Sequence, residues 1–224
     1  MLVINSPNNP SGVVYSPEET RGLAEWCVEH DVVILSDEIY DRLVYDGAKA
    51  TAPASLGAEV AARTLTVNGV SKSFAMTGWR IGFLTAPKPV VSAILKFQGQ
   101  TTGNPAAVSQ AAALAAMRGP QNAVEEMRTA YERRRNLAVE ALRQVPGVEL
   151  EPPQGAFYAF PRVARAVEAC GGSITLCEKL VEAGIGVVPG AGFGADQYIR
   201  FSFAVSDDRI QEGIRRFEAG LARL

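Results

Sequence analysis

Histidine is nearly absent and cysteine is scarce. The one histidine, His30, closes a helix-like run where a last-turn cation suits the helix dipole, so no catalytic role falls to it and a histidine-dependent triad is excluded. Cys27, Cys170 and Cys177 are odd in number, form no C-x-x-C pair and lie in apolar or helical runs, which excludes a disulfide framework or zinc site and predicts a reducing compartment. An excess of one charge is also missing. The net charge of -2 and pI near 5.6 give no footprint for nucleic acid, and the densest basic run, Arg133-Arg134-Arg135, sits in a glutamate-rich helical pattern and reads as a solvated face. No stretch approaches eighteen uninterrupted apolar residues, and no basic region followed by an apolar one opens the chain. Neither a membrane span nor a secretion leader is expected, and the location is predicted to be cytoplasmic. No G-x-x-x-x-G-K-[ST] loop occurs, so the apolar run ending in Asp37-Glu38 does not make a P-loop ATPase.

What is present is a large apolar fraction, 47% of 224 residues, enough for a sizeable core. Leu2 to Asn5 reads as a strand that starts the chain in mid-fold, and Ser6 to Gly12 as a dense turn cluster. Ser16-Pro17-Glu18-Glu19 combines an N-cap, a first-turn proline and first-turn acids, predicting a helix to about Glu29. Val32 to Leu35 is a β-branched run of the kind covered on both faces, and Leu65 to Asn68 and Ile81 to Thr85 follow as further strands. Helices are predicted over residues 89–96, 106–117 and 121–145, with residues 98–105 breaking the pattern between the first two. Past Pro146-Gly147 come short strands at 148–151, 156–160, 185–188 and 198–203, a helix over 173–183, and a last helix opened by Ser206. Gly190 to Gly194 has G-x-G-x-G spacing with no helix after it and reads as a tight turn. The pattern predicts an α/β unit over 1–118 and an α+β unit over 119–224, joined by the long helix.

Polar clusters end three strands, and such ends are where open α/β sheets bind ligands. Lys72 lies in a small-residue loop; it reads as an exposed lysine in a mobile turn or as an amine desolvated into a nucleophile, and both readings stand at this point. Asp37 reads as a cap of the following turn or as a functional acid. Arg200 sits inside an apolar strand, where a guanidinium is costly unless something meets it.

Taken together, six motifs resemble the class I/II aminotransferases, the fold type I enzymes that use pyridoxal 5′-phosphate (PLP). They are Asn5-Ser-Pro-Asn-Asn-Pro-Ser-Gly12, Ser36-Asp-Glu-Ile-Tyr40, Ser71-Lys72 with Met76-Thr-Gly-Trp-Arg80, Gly155-Ala-Phe-Tyr158, Val188-Pro-Gly190 and Tyr198-Ile-Arg-Phe-Ser202. The resemblance covers essentially the whole chain. It implies that residues 1–118 are the C-terminal part of a large PLP-binding domain with a mostly parallel sheet, and 119–224 a small domain.

It also implies roles. Lys72 forms the Schiff base with the cofactor and shuttles the substrate proton, Asp37 pairs with the pyridine nitrogen, and Tyr40 and Asn9 hydrogen-bond the phenolic oxygen. Arg80 binds the phosphate, and Arg200, with Asn9, binds the substrate carboxylate. The implied reaction is transamination between an L-amino acid, aspartate or a related acid as in aspartate and prephenate aminotransferases, and a 2-oxo acid such as 2-oxoglutarate, in a homodimer. A β-lyase or synthase of the same fold, and a silent fragment serving as a folded or dimerising module, are the alternatives. Two departures stand out: Gly69 occupies a position where many relatives place a phosphate-contacting serine, and residues 98–103 carry no cation for a second substrate carboxylate. Family members also carry a phosphate-cradling loop and a ring-stacking aromatic before the first motif. This predicts an N-terminally truncated chain with exposed sheet edge and apolar surface.

Overall fold

The computed structural model describes residues 1–224, which fold as two compact units: Met1–Pro7 with Val14–Arg128, and Asn8–Val13 with Thr129–Leu224. The first unit is built on a sheet of four strands in sequence order: β1 (Leu2–Asn5), β2 (Ile34–Asp37), β3 (Thr64–Gly69) and β4 (Gly82–Thr85). β1, β2 and β3 run parallel, and the register sets Asn5 beside Asp37 and Asp37 beside Val67, so β1 and β2 end level and β3 runs two residues further, to Gly69. β4 returns antiparallel to β3, pairing Gly69 with Gly82. β2 therefore begins two residues later than the apolar run suggests and carries Asp37 inside the strand.

α1 (Pro17–Glu29) opens as its sequence predicts. The Ser16 hydroxyl accepts from the Glu19 amide at 3.1 Å while the Glu19 carboxylate accepts from the Ser16 amide at 2.8 Å, a closed capping box. Its apolar face, with Ala24 and Cys27 fully buried, packs on Ile4, Ile34 and Val60. Val60 belongs to the short α2 (Ala58–Ala61). The opposite face is less covered than the β-branched pattern suggests, since Val3 and Val33 are exposed. α3 (Lys88–Thr101) buries none of its residues and leaves Leu95 and Phe97 60% and 73% exposed. It also runs past Gly99, where the sequence suggests a break. α4 (Ala107–Arg118) sets Ala113 against Val70 and Ile81 but exposes Val108 and Leu114. Apolar surface of this extent agrees with the expectation of exposed faces.

α5 (Asn122–Gln144) runs from the first unit into the second. The second unit adds α6 (Ala164–Cys170), α7 (Ser173–Glu182), α8 (Asp207–Leu221) and a small antiparallel sheet ordered β5 (Tyr158–Ala159), β7 (Ile199–Ser202), β6 (Val188–Pro189). Leu142, Leu176, Leu180, Phe203 and Phe217 are its fully buried side chains of largest size. Residues 148–151 are reduced to one bridge between Glu149 and Arg162, and α6 was not anticipated. Gly190–Phe193 is a 3₁₀ turn closed by left-handed Gly194, as the glycine spacing suggests.

The basic run in α5 is a solvated face only at Arg133, which is exposed; Arg134 is half-buried and Arg135 buried. Arg133 and Arg134 meet Asp207 at the start of α8, and Arg135 is 3% exposed and donates to the Pro153 carbonyl at 3.2 Å. Asp207 occupies these arginines at a helix end where Ser206 makes no side-chain cap bond. Asn8–Val13 is fastened to this unit through Gly12, whose carbonyl accepts from the amides of Gln154 and Gly155 at 2.8 and 2.9 Å. Gly12 has φ +71° and would place a Cβ 2.2 Å from that of Pro153, so only glycine fits. No helix is long and apolar enough to cross a membrane.

Candidate active site

In the first unit β1 and β2 end level, setting Asn5 beside Asp37, and β3 runs on to Gly69. Asp37 is oriented from two sides: the Asn5 amide donates to Oδ2 at 3.1 Å, and the Ile39 backbone N–H donates to Oδ1 at 3.3 Å. Two donors, one on each oxygen, fix the direction of the carboxylate. The turn after β2 then buries Tyr40, 3% exposed. The turn after β3 carries half-buried Lys72, whose Nζ stands 5.9 Å from the centroid of the Tyr40 ring. That separation lies within the range of a cation–π contact and sets an amine beside a phenol.

Two further acids stand among these groups. Glu38 is buried, accepts the Ser36 hydroxyl at 2.8 Å, and has its acid pushed up by burial, with Asp41 and Asp37 adding to the shift. Burial also pushes Asp41 up, against hydrogen bonds from Asn68, its neighbour's backbone and Ser73. Ser73, 2% exposed, donates to Asp41 Oδ1 at 3.3 Å. Arg80 follows the Thr77–Trp79 turn in a left-handed conformation, φ +55°, and is exposed, with its guanidinium donating to the Thr77 carbonyl at 2.9 Å. Gly69 gives the lysine loop its start. A Cβ there would lie 2.8 Å from the Ile81 carbonyl oxygen and 3.2 Å from Gly82 Cα and Ile39 Cδ1, so the position is closed to a serine unless the strands shift.

The second unit holds the other pair. Arg200, on the central strand β7, donates to Asn9 Oδ1 at 2.8 Å, and its guanidinium carbon lies 4.4 Å from the Tyr158 ring and 5.2 Å from the Phe193 ring. An amide and two aromatic faces meet the costly guanidinium, and a planar fork held in this way suits bidentate capture of a carboxylate. A cavity of about 350 Å³ in this unit, lined by Leu142, Ile185, Phe201, Phe203 and Ile210, contains none of the six residues singled out from sequence. The chemistry-bearing side chains, not cavity size, mark the site.

The structure thus brings together Lys72 with Tyr40 and Asn9 with Arg200, and sets Asp37 beside Val67, two residues before the lysine loop starts. Sequence reasoning passed over Asn5, Asp41, Ser73, Tyr158 and Phe193 as working side chains. The available signal was their adjacency to Tyr40, Lys72 and the aromatic motif.

Comparison with known proteins follows the same lines. The family described as aminotransferase class I and II matches residues 1–217. A probable aspartate/prephenate aminotransferase of Aquifex aeolicus is 46% identical over all of this chain and 57% of its own length. An aspartate aminotransferase of Geobacillus stearothermophilus is 46% identical over 96% of this chain and 56% of its own. The crystal structure of the aspartate aminotransferase from Rhizobium meliloti superimposes with a TM-score of 0.91 at 39% identity, over 99% of this chain and 58% of that one. The chain therefore spans a little over half the length of these relatives.

Proposed function

We infer, because this chain belongs to the class I and II aminotransferase family, that it carries part of the active site of a PLP-dependent aminotransferase. The reaction would move the amino group of an L-amino acid, aspartate or a related acid, to a 2-oxo acid such as 2-oxoglutarate. The observation that carries this reading is Lys72 Nζ set over the Tyr40 ring, on the turns that follow β3 and β2, with a doubly hydrogen-bonded Asp37 ending β2. The names of the relatives, aspartate and aspartate/prephenate aminotransferases, support the substrate class.

The donor set fits the cofactor in chemical kind. PLP offers an aldehyde, a phenolic oxygen, a ring nitrogen and a phosphate; the chain offers a primary amine, a phenol, an oriented carboxylate and an exposed guanidinium. When bound, PLP supplies an electron-withdrawing ring that lets the Cα–H bond of the amino acid ionise. Lys72 would hold the cofactor through its amine, and Nζ would serve as the base that takes and returns the Cα proton. Asp37, oriented by its two donors, would pair with the ring nitrogen. The Tyr40 hydroxyl would hydrogen-bond the phenolic oxygen, a role the family resemblance also gives to the Asn9 amide, and Arg80 would take the phosphate as a point of positive charge. Arg200 orients the substrate α-carboxylate, with Asn9 holding one arm of the fork. Gly69 leaves the phosphate without a hydroxyl from that position.

In this reading residues 1–118 belong to the cofactor domain and 119–224 to the small domain, and the active enzyme is a cytoplasmic homodimer. The test is spectroscopic: purified chain mixed with PLP is expected to give an absorption band whose position changes with pH. After borohydride reduction the label should sit on Lys72 by mass spectrometry. A band and label that persist unchanged in Lys72→Ala overturn the assignment, as does the absence of any lysine-dependent band.

A further inference from the structure

Two consecutive residues on one turn face two on another. Tyr40 and Asp41 follow β2, and Lys72 and Ser73 follow β3. Tyr40 meets Lys72 through ring and ammonium, and Asp41 meets Ser73 through carboxylate and hydroxyl. The first contact is long, 5.9 Å from Nζ to the ring centroid. The second is a hydrogen bond given by a hydroxyl whose side chain is 2% exposed.

Asn68 completes the arrangement at the end of β3. Its Oδ1 accepts the Gly69 N–H at 2.7 Å, which turns its NH₂ outward, and the Asn68 side chain hydrogen-bonds Asp41. Asp41 thus gathers donors from both ends of the segment that begins at Asn68 and reaches Ser73. Past β3 that segment has three further backbone bonds: Val70 N–H donates to the Ile81 carbonyl at 3.4 Å, and the Val70 and Lys72 carbonyls accept from the Met76 and Ala75 amides at 3.4 and 3.1 Å. Ala75 is itself left-handed, φ +52°, so the turn is held in a shape its own backbone does not favour.

We propose that Asp41 is a positioning residue: by accepting from Ser73 it ties the Lys72 turn to the Tyr40 turn and holds the lysine amine over the phenol ring. The consequence for transamination rests on the function proposed above; the tether itself does not. Asp41 touches neither amine nor ring and acts through Ser73. A cavity of about 160 Å³ lined by Asp41, Asn68, Ser73 and Phe74 lies beside the bond, so trimming either partner enlarges an existing space and leaves the main core intact.

The experiment is trace acetylation of the cofactor-free 224-residue chain with acetic anhydride, with peptide mass spectrometry giving the rate at Lys72 relative to that at exposed Lys88. In Ser73→Ala and in Asp41→Ala the Lys72/Lys88 ratio should rise about fivefold, the population change that follows loss of one hydrogen bond of ordinary net strength. The double variant should rise no further, because both changes remove one tether. Ser16→Ala, which weakens the same unit at α1, should leave the ratio where it was and so separates tethering from general loosening. Far-UV circular dichroism checks that each variant is folded. An unchanged ratio in either single variant, additive effects in the double, or an equal rise in Ser16→Ala overturns the proposal. A parallel reaction with PLP and borohydride keeps the two readings apart: a shifted acetylation ratio with no Lys72 label in the unaltered chain leaves the tether standing and removes the proposed function.

Discussion

Adding one methyl group at Gly69 tests whether the closeness of β3 and β4 at the head of the lysine loop dictates glycine there. An alanine Cβ would stand 2.8 Å from the Ile81 carbonyl oxygen, with Gly82 Cα and Ile39 Cδ1 both at 3.2 Å. The nearest obstacle is backbone of the paired strand, so no side chain can swing aside, and β4 has to move by a few tenths of an ångström. Overpacking of this kind costs about 1–3 kcal/mol. For a chain of this size that corresponds to a fall in melting temperature of about 3–9 °C. Gly82 is the control on the facing strand: its Cβ would meet only the Asn68 carbonyl at 3.4 Å, an ordinary contact, and Gly82→Ala should shift the midpoint far less. Both tryptophans, Trp26 and Trp79, belong to the first unit, so their fluorescence follows that unit alone during thermal unfolding. A midpoint for Gly69→Ala equal to that of Gly82→Ala, or to that of the unaltered chain, would refute the steric account. Gly69→Ser should then be tolerated as well, and the missing hydroxyl at this position would lose its structural cause.

Three other outcomes follow from the geometry. Ser16→Ala opens the capping box of α1 and should cost about 1 kcal/mol, read from the urea midpoint of Trp26 fluorescence; no shift would show that tertiary packing alone holds the helix start. Glu38 has its acid raised by burial, so the folded state binds its proton more readily than the unfolded one, and the stability linked to that carboxyl is full at acid pH and is lost as pH rises through the raised value. Glu38→Gln should therefore raise stability at neutral pH and flatten its dependence upward from the ordinary carboxylate range; a loss of stability at pH 7 would contradict it. Burial pushes the Cys177 thiol up to about 11, so iodoacetamide at pH 8 should modify half-buried Cys170 well before Cys177, an order that should disappear in denaturant.

Local signals made the frame readable. Ser16, Pro17 and Glu19 fix the start of α1 within four residues, and the apolar period of α5 runs long enough to give both ends to within a residue or two. Signals failed where the deciding contact lies far away in sequence. α6 is seven residues with no apolar stripe, stopped by left-handed Gly171. α3 continues through Gly99 because one helical glycine costs only about 1 kcal/mol. The Arg133–Arg135 run looked solvated because nothing in α5 announces Asp207 or the Pro153 carbonyl. At the site the same division holds. Asp37 and Arg200 stand out as charged groups at or within apolar strands and Lys72 as a lysine in a small-residue loop, whereas Asn5 with Asp37 and Ser73 with Asp41 are both pairs 32 residues apart, visible only once the sheet register is known.

The chain crosses between its two units after Pro7, after Val13 and after Arg128. Three crossings make the units poor cassettes. A gene piece beginning at Gly119 would encode most of the second unit yet lack Asn8–Val13, and with it the Gly12 carbonyl that receives the Gln154 and Gly155 amides and the Asn9 amide that receives Arg200. Recombination that shuffles such proteins therefore has to carry a six-residue loop along with a lobe encoded more than a hundred residues downstream, and a break at Gly119 separates the two.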